Sequence, residues 1–184
     1  IEEPCKLVYT VYNNQNIQIQ LHMDKNSQRQ TLPLFGIEFA LKDTFKNFAY
    51  FGKGEKDTYI DRDHALTDFY FENVDTNYIP YLKPQEQGNH TDCKWCSLSN
   101  DTIQLNIKSE KMECMASKYS FMHLYNANHT FELPQTNTTH LRITKQQMGV
   151  GGINSWGAKV QPQYLIDQSK NLDFTCTLYI SKKD

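Results

Sequence analysis

Four glycines and one tryptophan meet in MGVGGINSWG, residues 148–157, in a chain that holds only eight glycines and two tryptophans. Gly149, Gly151 and Gly152 are free to take positive φ or to let another backbone come close, which residues with a side chain do only under strain. A loop bent in this way delivers Trp156 to one of two places. It is a core residue, since tryptophan is highly buried on average, or it is an open ring flanked by the small polar residues Asn154, Ser155 and Gly157. The second arrangement suits a sugar. The C–H face of a galactose-like ring lies well against an indole, and its hydroxyls find partners in Asn154 and Ser155.

Thiols and imidazoles are the other reactive groups. Cys93-Lys94-Trp95-Cys96 has the spacing of half a zinc site or of a redox pair. No second pair of ligands at similar spacing accompanies it, and its flanks read as strand rather than as the start of a helix. The five cysteines (Cys5, Cys93, Cys96, Cys114 and Cys176) are therefore read as free thiols that pack as small hydrophobes, which points to a reducing compartment. Asn-x-Thr sequons at Asn89, Asn100, Asn128 and Asn137 point the other way, toward a glycosylated secreted chain, but Asn and Thr are common enough here for such triplets to arise by chance. A sugar epimerase would need a histidine and a carboxylate converging on the ring oxygen and anomeric hydroxyl. His64, His90, His123, His129 and His140 supply the residue type, and none sits in a motif for that task.

The elements that position these groups follow from periodicity. A chain of 184 residues buries roughly two thirds of its unfolded surface, so residues 1–184 are expected to form one domain. The net charge is −2, with Lys and Arg scattered singly, which gives no footprint for nucleic acid or an anionic membrane. There is no apolar run of membrane-spanning length and no signal-peptide pattern. Period-2 alternation bounded by turn residues marks strands in KLVYTVYN, NIQIQLHM, PLFGIEFAL, HTDCKWCSL, DTIQLNIKS, THLRITK and LDFTCTLYI. With eleven tyrosines and ten phenylalanines to fill an interior, these argue an all-β antiparallel β-sandwich with long loops and at most one short helix. That helix is SKYSFMHLYNA, capped by Ser117 or Ser120. The stretch from Tyr50 to Asp92 resists the strand pattern and reads as an irregular segment that carries function or meets a partner. Within it, Asp61 and Arg62 are expected to pair.

Several motifs in register resemble the C-terminal part of a β-galactosidase of glycoside hydrolase family two. They are MGVGGINSWGAKVQPQY at 148–164, YFGKG with YIDR at 50–62, YIPYLKPQEQGNHTDCKW at 78–95 and HTFELP at 129–134. The match runs from about Pro33 to the end. It departs from the family pattern Gly-x-Gly-Pro-x-Glu-Asn-Tyr at Glu55, Asp57 and Thr58, and Ile153 and Asn154 replace a commoner pair of acids. Tyr59, Asp61, Arg62 and Trp156 stand in place.

The resemblance implies a galactose-mutarotase-like supersandwich, here truncated at its N-terminal side so that the first strands present a free edge. It implies an oligomeric, bacterial, cytoplasmic enzyme that hydrolyses terminal β-D-galactosides such as lactose with retention. The two catalytic glutamates of that reaction, and the Mg2+ and Na+ ligands, lie on a separate (β/α)8 barrel, so neither catalytic residue nor metal ligand is assigned to this chain. What remains is a Trp wall at Trp156 with Asn154 and Ser155 as substrate neighbours, Gly149, Gly151 and Gly152 as loop-shaping residues, and Tyr59, Asp61, Arg62, Glu86 and Asn89 as interface or structural residues. The expected partners are the barrel and a galactoside, with no nucleic acid and no membrane. Two alternatives remain open: a free-standing carbohydrate-binding module using Trp156 with Trp95 or Tyr59, and a mutarotase.

Overall fold

The computed structural model describes residues 4–26, 28 and 31–183. Nine strands run through them: β1 (Lys6–Val11), β2 (Ile17–Met23), β3 (Leu34–Lys42), β4 (Asn47–Lys53), β5 (Thr67–Asn73), β6 (His90–Ser99), β7 (Ile103–Ser117), β8 (Thr138–Gln147) and β9 (Leu172–Lys182). All pairings are antiparallel, in the order β1-β2-β9-β7-β6-β4-β5, and β8 with β3 branches from β7. The branch is possible because β7 is 15 residues long. Its first half pairs with β9 through Ile103–Lys108, and its second half pairs with β8 through Glu113–Ser117. Side chains from the main sheet and from the β3–β8 arm then fuse into one core, with Ile19, Phe48, Leu98, Ile107, Leu141, Ile143 and Phe174 among its members.

Alternation accounts for most of this. In β2, Ile19, Leu21 and Met23 are buried while Gln18 and Gln20 face out; in β9, Leu172, Phe174, Cys176 and Leu178 are buried on one face. The all-β antiparallel class read from the sequence is the class observed. The single α-helix among the described residues, α1 (Phe121–Asn126), starts at Ser120, whose hydroxyl accepts from the His123 N–H while the His123 ring accepts from the Ser120 N–H. This reciprocal cap satisfies two of the donors that a helix start leaves free.

The segment from Tyr50 to Asp92 is less irregular than its composition implies. It contains the end of β4, all of β5 and the start of β6. β5 was hidden because its alternation is inverted: Phe69 and Phe71 face out, while Tyr70 and Glu72 face inward. β7 likewise continues past Ser109, through EKMECMAS. β1 forms one edge of the sheet, and Leu7, Tyr9 and Val11 on it are exposed although they pair with core-bearing positions of β2. Four of the five cysteines are buried free thiols and Cys5 is exposed. No helix among the described residues is long and apolar enough to cross a membrane.

Candidate functional site

The Gly-rich loop leaves β8 at Gln147 and is held at its base from two sides. The Gly149 N–H donates to the Tyr164 carbonyl at 2.8 Å, and the Gly151 N–H donates to Asp61 Oδ2 at 2.8 Å. A Cβ on Gly149 would stand 2.5 Å from Asp61 Oδ2 and 3.0 Å from Tyr164 Cβ, so this position requires glycine for space. Gly151 and Gly152 require it for conformation, with φ of +74° and +81°. Beyond them the loop is closed by its own residues: Asn154 Oδ1 accepts from the N–H groups of Trp156, at 2.9 Å, and Ala158, at 3.3 Å. This is a side chain mimicking a backbone turn. Trp156 emerges 92% exposed. Of the two readings of that tryptophan, the core reading is overturned, because the glycine turns direct the ring away from the sheet.

The motif residues between β4 and β6 build the ground under this loop. Tyr59 is fully buried, its hydroxyl donates to Glu86 Oε1 at 3.2 Å, and a short antiparallel bridge joins it to Arg62. Burial, with the Glu86 and Asp57 carboxylates nearby, pushes its phenol far above the ordinary tyrosine range. Asp61 and Arg62 do not pair with each other. Arg62 Nη2 reaches back to Asp57 Oδ1 at 2.8 Å with its guanidinium 5.2 Å from the Tyr59 ring centroid, and Asp61 turns the other way, to the loop. A tight turn separates the expected pair: the Tyr59 and Arg62 backbones bond to each other at 2.8 and 3.3 Å, which leaves Asp61 on the turn itself and Arg62 back on the bridge beside Tyr59. Asp57 and Thr58, both departures from the family pattern, have local partners: Asp57 Oδ2 accepts from the Gly88 N–H, and the Thr58 hydroxyl meets that of Thr91 at 3.0 Å.

Beneath lies a buried polar chain of which sequence reasoning singled out Glu86 and Asn89 alone. Arg142 on β8 is paired with Glu86, and its guanidinium lies 5.7 Å from the Phe121 ring centroid. Glu113 on β7 accepts from Asn89 Nδ2 at 3.0 Å and from the Gln147 N–H at 3.1 Å, and Asn89 Nδ2 also donates to the Thr58 carbonyl. Burial pushes the Glu113 carboxyl up to about 7, against the pull of its two hydrogen bonds and of Arg142. The network ties the 57–63 and 86–89 segments to the strand that carries the glycine loop, so Glu86 and Asn89 are where the motifs led, while Arg142, Glu113 and Gln147 complete them. Asn89 is 1% exposed, which removes that sequon as an accessible site.

A cleft of about 460 Å3 opens between Gly149–Gly152, Arg62, Tyr81, Glu86 and the aromatic side of α1, Phe121 and Tyr125. A larger depression, about 840 Å3, lies among Lys94, Lys108 and Lys145 and includes none of the motif residues at the loop. Its lining also includes Lys111, Glu110 and Asp173 and none of the residues that hold the loop, so the smaller cleft is the candidate. Two of the histidines meet, the His123 and His140 rings standing edge-on with centroids 5.6 Å apart, where His140 also meets Glu38 at 3.2 Å and His123 caps α1; His90 is buried against Tyr50 with Glu72 3.1 Å away, and His129 meets Glu132 at 3.0 Å. Among the described residues no three His, Cys, Asp or Glu side chains converge as metal ligands.

Comparison with known proteins adds a family. A family model described as "Beta galactosidase small chain" matches residues 2–178. The chain is 33% identical over 171 residues to beta-galactosidase BgaC of Bifidobacterium adolescentis, covering 89% of this chain and 16% of that protein. It is 32% identical over 177 residues to a beta-galactosidase of Priestia megaterium, covering 95% of this chain and 17% of that protein. A beta-galactosidase of Streptococcus thermophilus is 31% identical over 168 residues, 89% of this chain and 16% of that protein. The chain thus spans about a sixth of the length of these relatives.

Proposed function

The chain belongs to the β-galactosidase small-chain family, and from that membership we propose that it is the C-terminal sandwich part of a β-galactosidase, which supplies a Trp wall to a sugar pocket on a catalytic barrel. The observation that carries this reading is Trp156: an indole 92% exposed on a loop with a fixed base. Leaving so large an apolar ring in water forgoes on the order of 2 kcal/mol of burial free energy. A partner surface or a sugar ring recovers it. Ser155 and the Asn154 amide, whose oxygen is occupied by the loop backbone, are the hydroxyl partners.

The rest of the enzyme carries the chemistry in this proposal. Hydrolysis of a terminal β-D-galactoside such as lactose with retention needs two carboxyl groups about 5–5.5 Å apart, one as nucleophile and one as acid and base; both are assigned to the barrel. The Mg2+ and Na+ ions that the family resemblance implies are assigned to the barrel in the same proposal. The docking face is assigned to the side of the cleft that Tyr81, Phe121 and Tyr125 line, where Tyr125 is exposed and the exposed Leu82 and Met122 follow Tyr81 and Phe121 in the chain, with exposed Phe131 next to Thr130, whose hydroxyl donates to the Tyr81 carbonyl. Exposed apolar patches of this kind mark interaction surfaces. The buried free thiols fit a reducing, cytoplasmic setting.

The test is hydrolysis of a chromogenic β-galactoside by this chain, by the barrel-containing remainder, by their mixture, and by a mixture with Trp156→Ala. Activity only on mixing, with KM raised several-fold by Trp156→Ala, is the expected result. Hydrolysis by this chain alone, or a Trp156→Ala mixture with unchanged kinetics, would sink the reading.

A further inference from the structure

We propose that Asp61 is the positioning residue of the Trp156 loop: its carboxylate, set between β4 and β5, fixes the backbone at Gly149 and Gly151 and thereby sets where the indole stands. The consequence for turnover rests on the reading of Trp156 as a pocket wall. The positioning itself does not.

Four observations carry it. Asp61 Oδ2 accepts the Gly151 N–H at 2.8 Å and packs on Gly149 so closely that a Cβ there would fall 2.5 Å away. Among the described residues, this is the only hydrogen bond that joins residues 150–158 to a side chain outside the loop. Further out, nothing lies within 4 Å of where a Cβ would be on Gly152 or Gly157, so the tip has no packing to hold it. Nor is the carboxylate spent elsewhere: Arg62 is turned to Asp57, and Asp61 Oδ1 is buried without a partner among the described residues. A backbone N–H bonded to a carboxylate is stronger and better directed than one bonded to a neutral acceptor. With Tyr164 gripping Gly149 from the opposite side, the loop base is clamped five residues before the indole, and the positive φ angles of Gly151 and Gly152 set its direction from there.

The experiment is amide hydrogen exchange by NMR on the 184-residue chain, with Asp61→Ala, Asp61→Asn and Gly149→Ala. Asp61→Ala should speed exchange at Gly151 by about tenfold while strand amides in β2 and β8 keep their rates. Asp61→Asn keeps an oxygen acceptor and should preserve protection at Gly151. Gly149→Ala should lose it, since the methyl displaces the carboxylate. In the mixed enzyme, Asp61→Ala should raise KM as Trp156→Ala does and add nothing in a Trp156→Ala background, because residues that act through one another are not additive. Unchanged exchange at Gly151 in Asp61→Ala, or Asp61→Asn as harmful as Ala, would overturn the proposal. A full extra effect of Asp61→Ala on top of Trp156→Ala would do the same. If Trp156→Ala alone leaves KM unchanged, the Trp wall fails, and the exchange result still decides the role of Asp61.

Discussion

Replacing Glu113 by glutamine should make the chain more stable at neutral and alkaline pH and leave it unchanged in mild acid. Glu113 is 6% exposed, and burial raises its carboxyl from 4.5 to about 7. Between those two values the folded state holds a proton that the unfolded chain has released. Stability therefore falls as pH rises through this window: the favourable contribution is complete below the unfolded value and gone once pH passes the folded one. A shift from 4.5 to about 7 corresponds to about 3 kcal/mol at most, at roughly 1.4 kcal/mol per unit. Glutamine keeps a carbonyl oxygen for Asn89 Nδ2 and the Gln147 N–H, and the cleft of about 300 Å3 bordered by Glu113 leaves room for water on the new amide. Urea denaturation of both proteins across pH should give curves that coincide near pH 4 and diverge to about 3 kcal/mol in favour of Glu113→Gln near pH 8. Parallel curves, or a Glu113→Gln protein that is weaker at pH 8, would refute the reasoning.

Two further outcomes follow from burial. Arg142→Ala removes an arginine side chain that is 3% exposed and leaves the 20% exposed Glu86 carboxylate with the Tyr59 hydroxyl as its remaining partner, and it should lower unfolding stability by about 2–3 kcal/mol in urea titrations, less than for a fully buried pair; a loss under 1 kcal/mol would mean that Glu86 rehydrates freely. In thiol titration of the native chain, only Cys5 should react quickly, and the other four should appear on unfolding. Burial pushes the Cys176 thiol up to about 12 and Cys114 well above its ordinary range, so mildly alkaline pH should not expose them. Two fast thiols in the native chain would count against this packing.

What the sequence made legible was local. β2 and β9 declare their buried faces by alternation, and Ser120 is a helix start in type and place. The buried network was not legible, because its partners are far apart in the chain: Asn89 and Glu113 by 24 residues, Glu86 and Arg142 by 56. In LRIT, Arg142 occupies a strand position that sequence alone cannot distinguish from a solvated one. Nothing short of the β7–β8 pairing brings it under Glu86. Asp61 and Arg62 show the reverse error, since adjacency suggested a pair where a tight turn sends the two side chains apart, one of them to a glycine 90 residues on. The glycines themselves were legible as turn-makers. Which of them yields space and which yields angle was not: Gly149 does the first, Gly151 and Gly152 the second.

The contrast between loop base and loop tip separates stability from function at Trp156. A ring that is 92% exposed contributes almost nothing to the folded chain, so Trp156→Ala should shift the urea midpoint negligibly, within about 0.5 kcal/mol. Gly149→Ala, whose methyl must displace the Asp61 carboxylate, should by contrast lower stability by about 1–3 kcal/mol. If the indole served the fold, those two sensitivities would move together. The bonds from the loop to the rest of the chain lie at its base, while Asn154 ties only the tip's own backbone and the indole stays exposed; the proposal of a binding partner outside this chain rests on that separation.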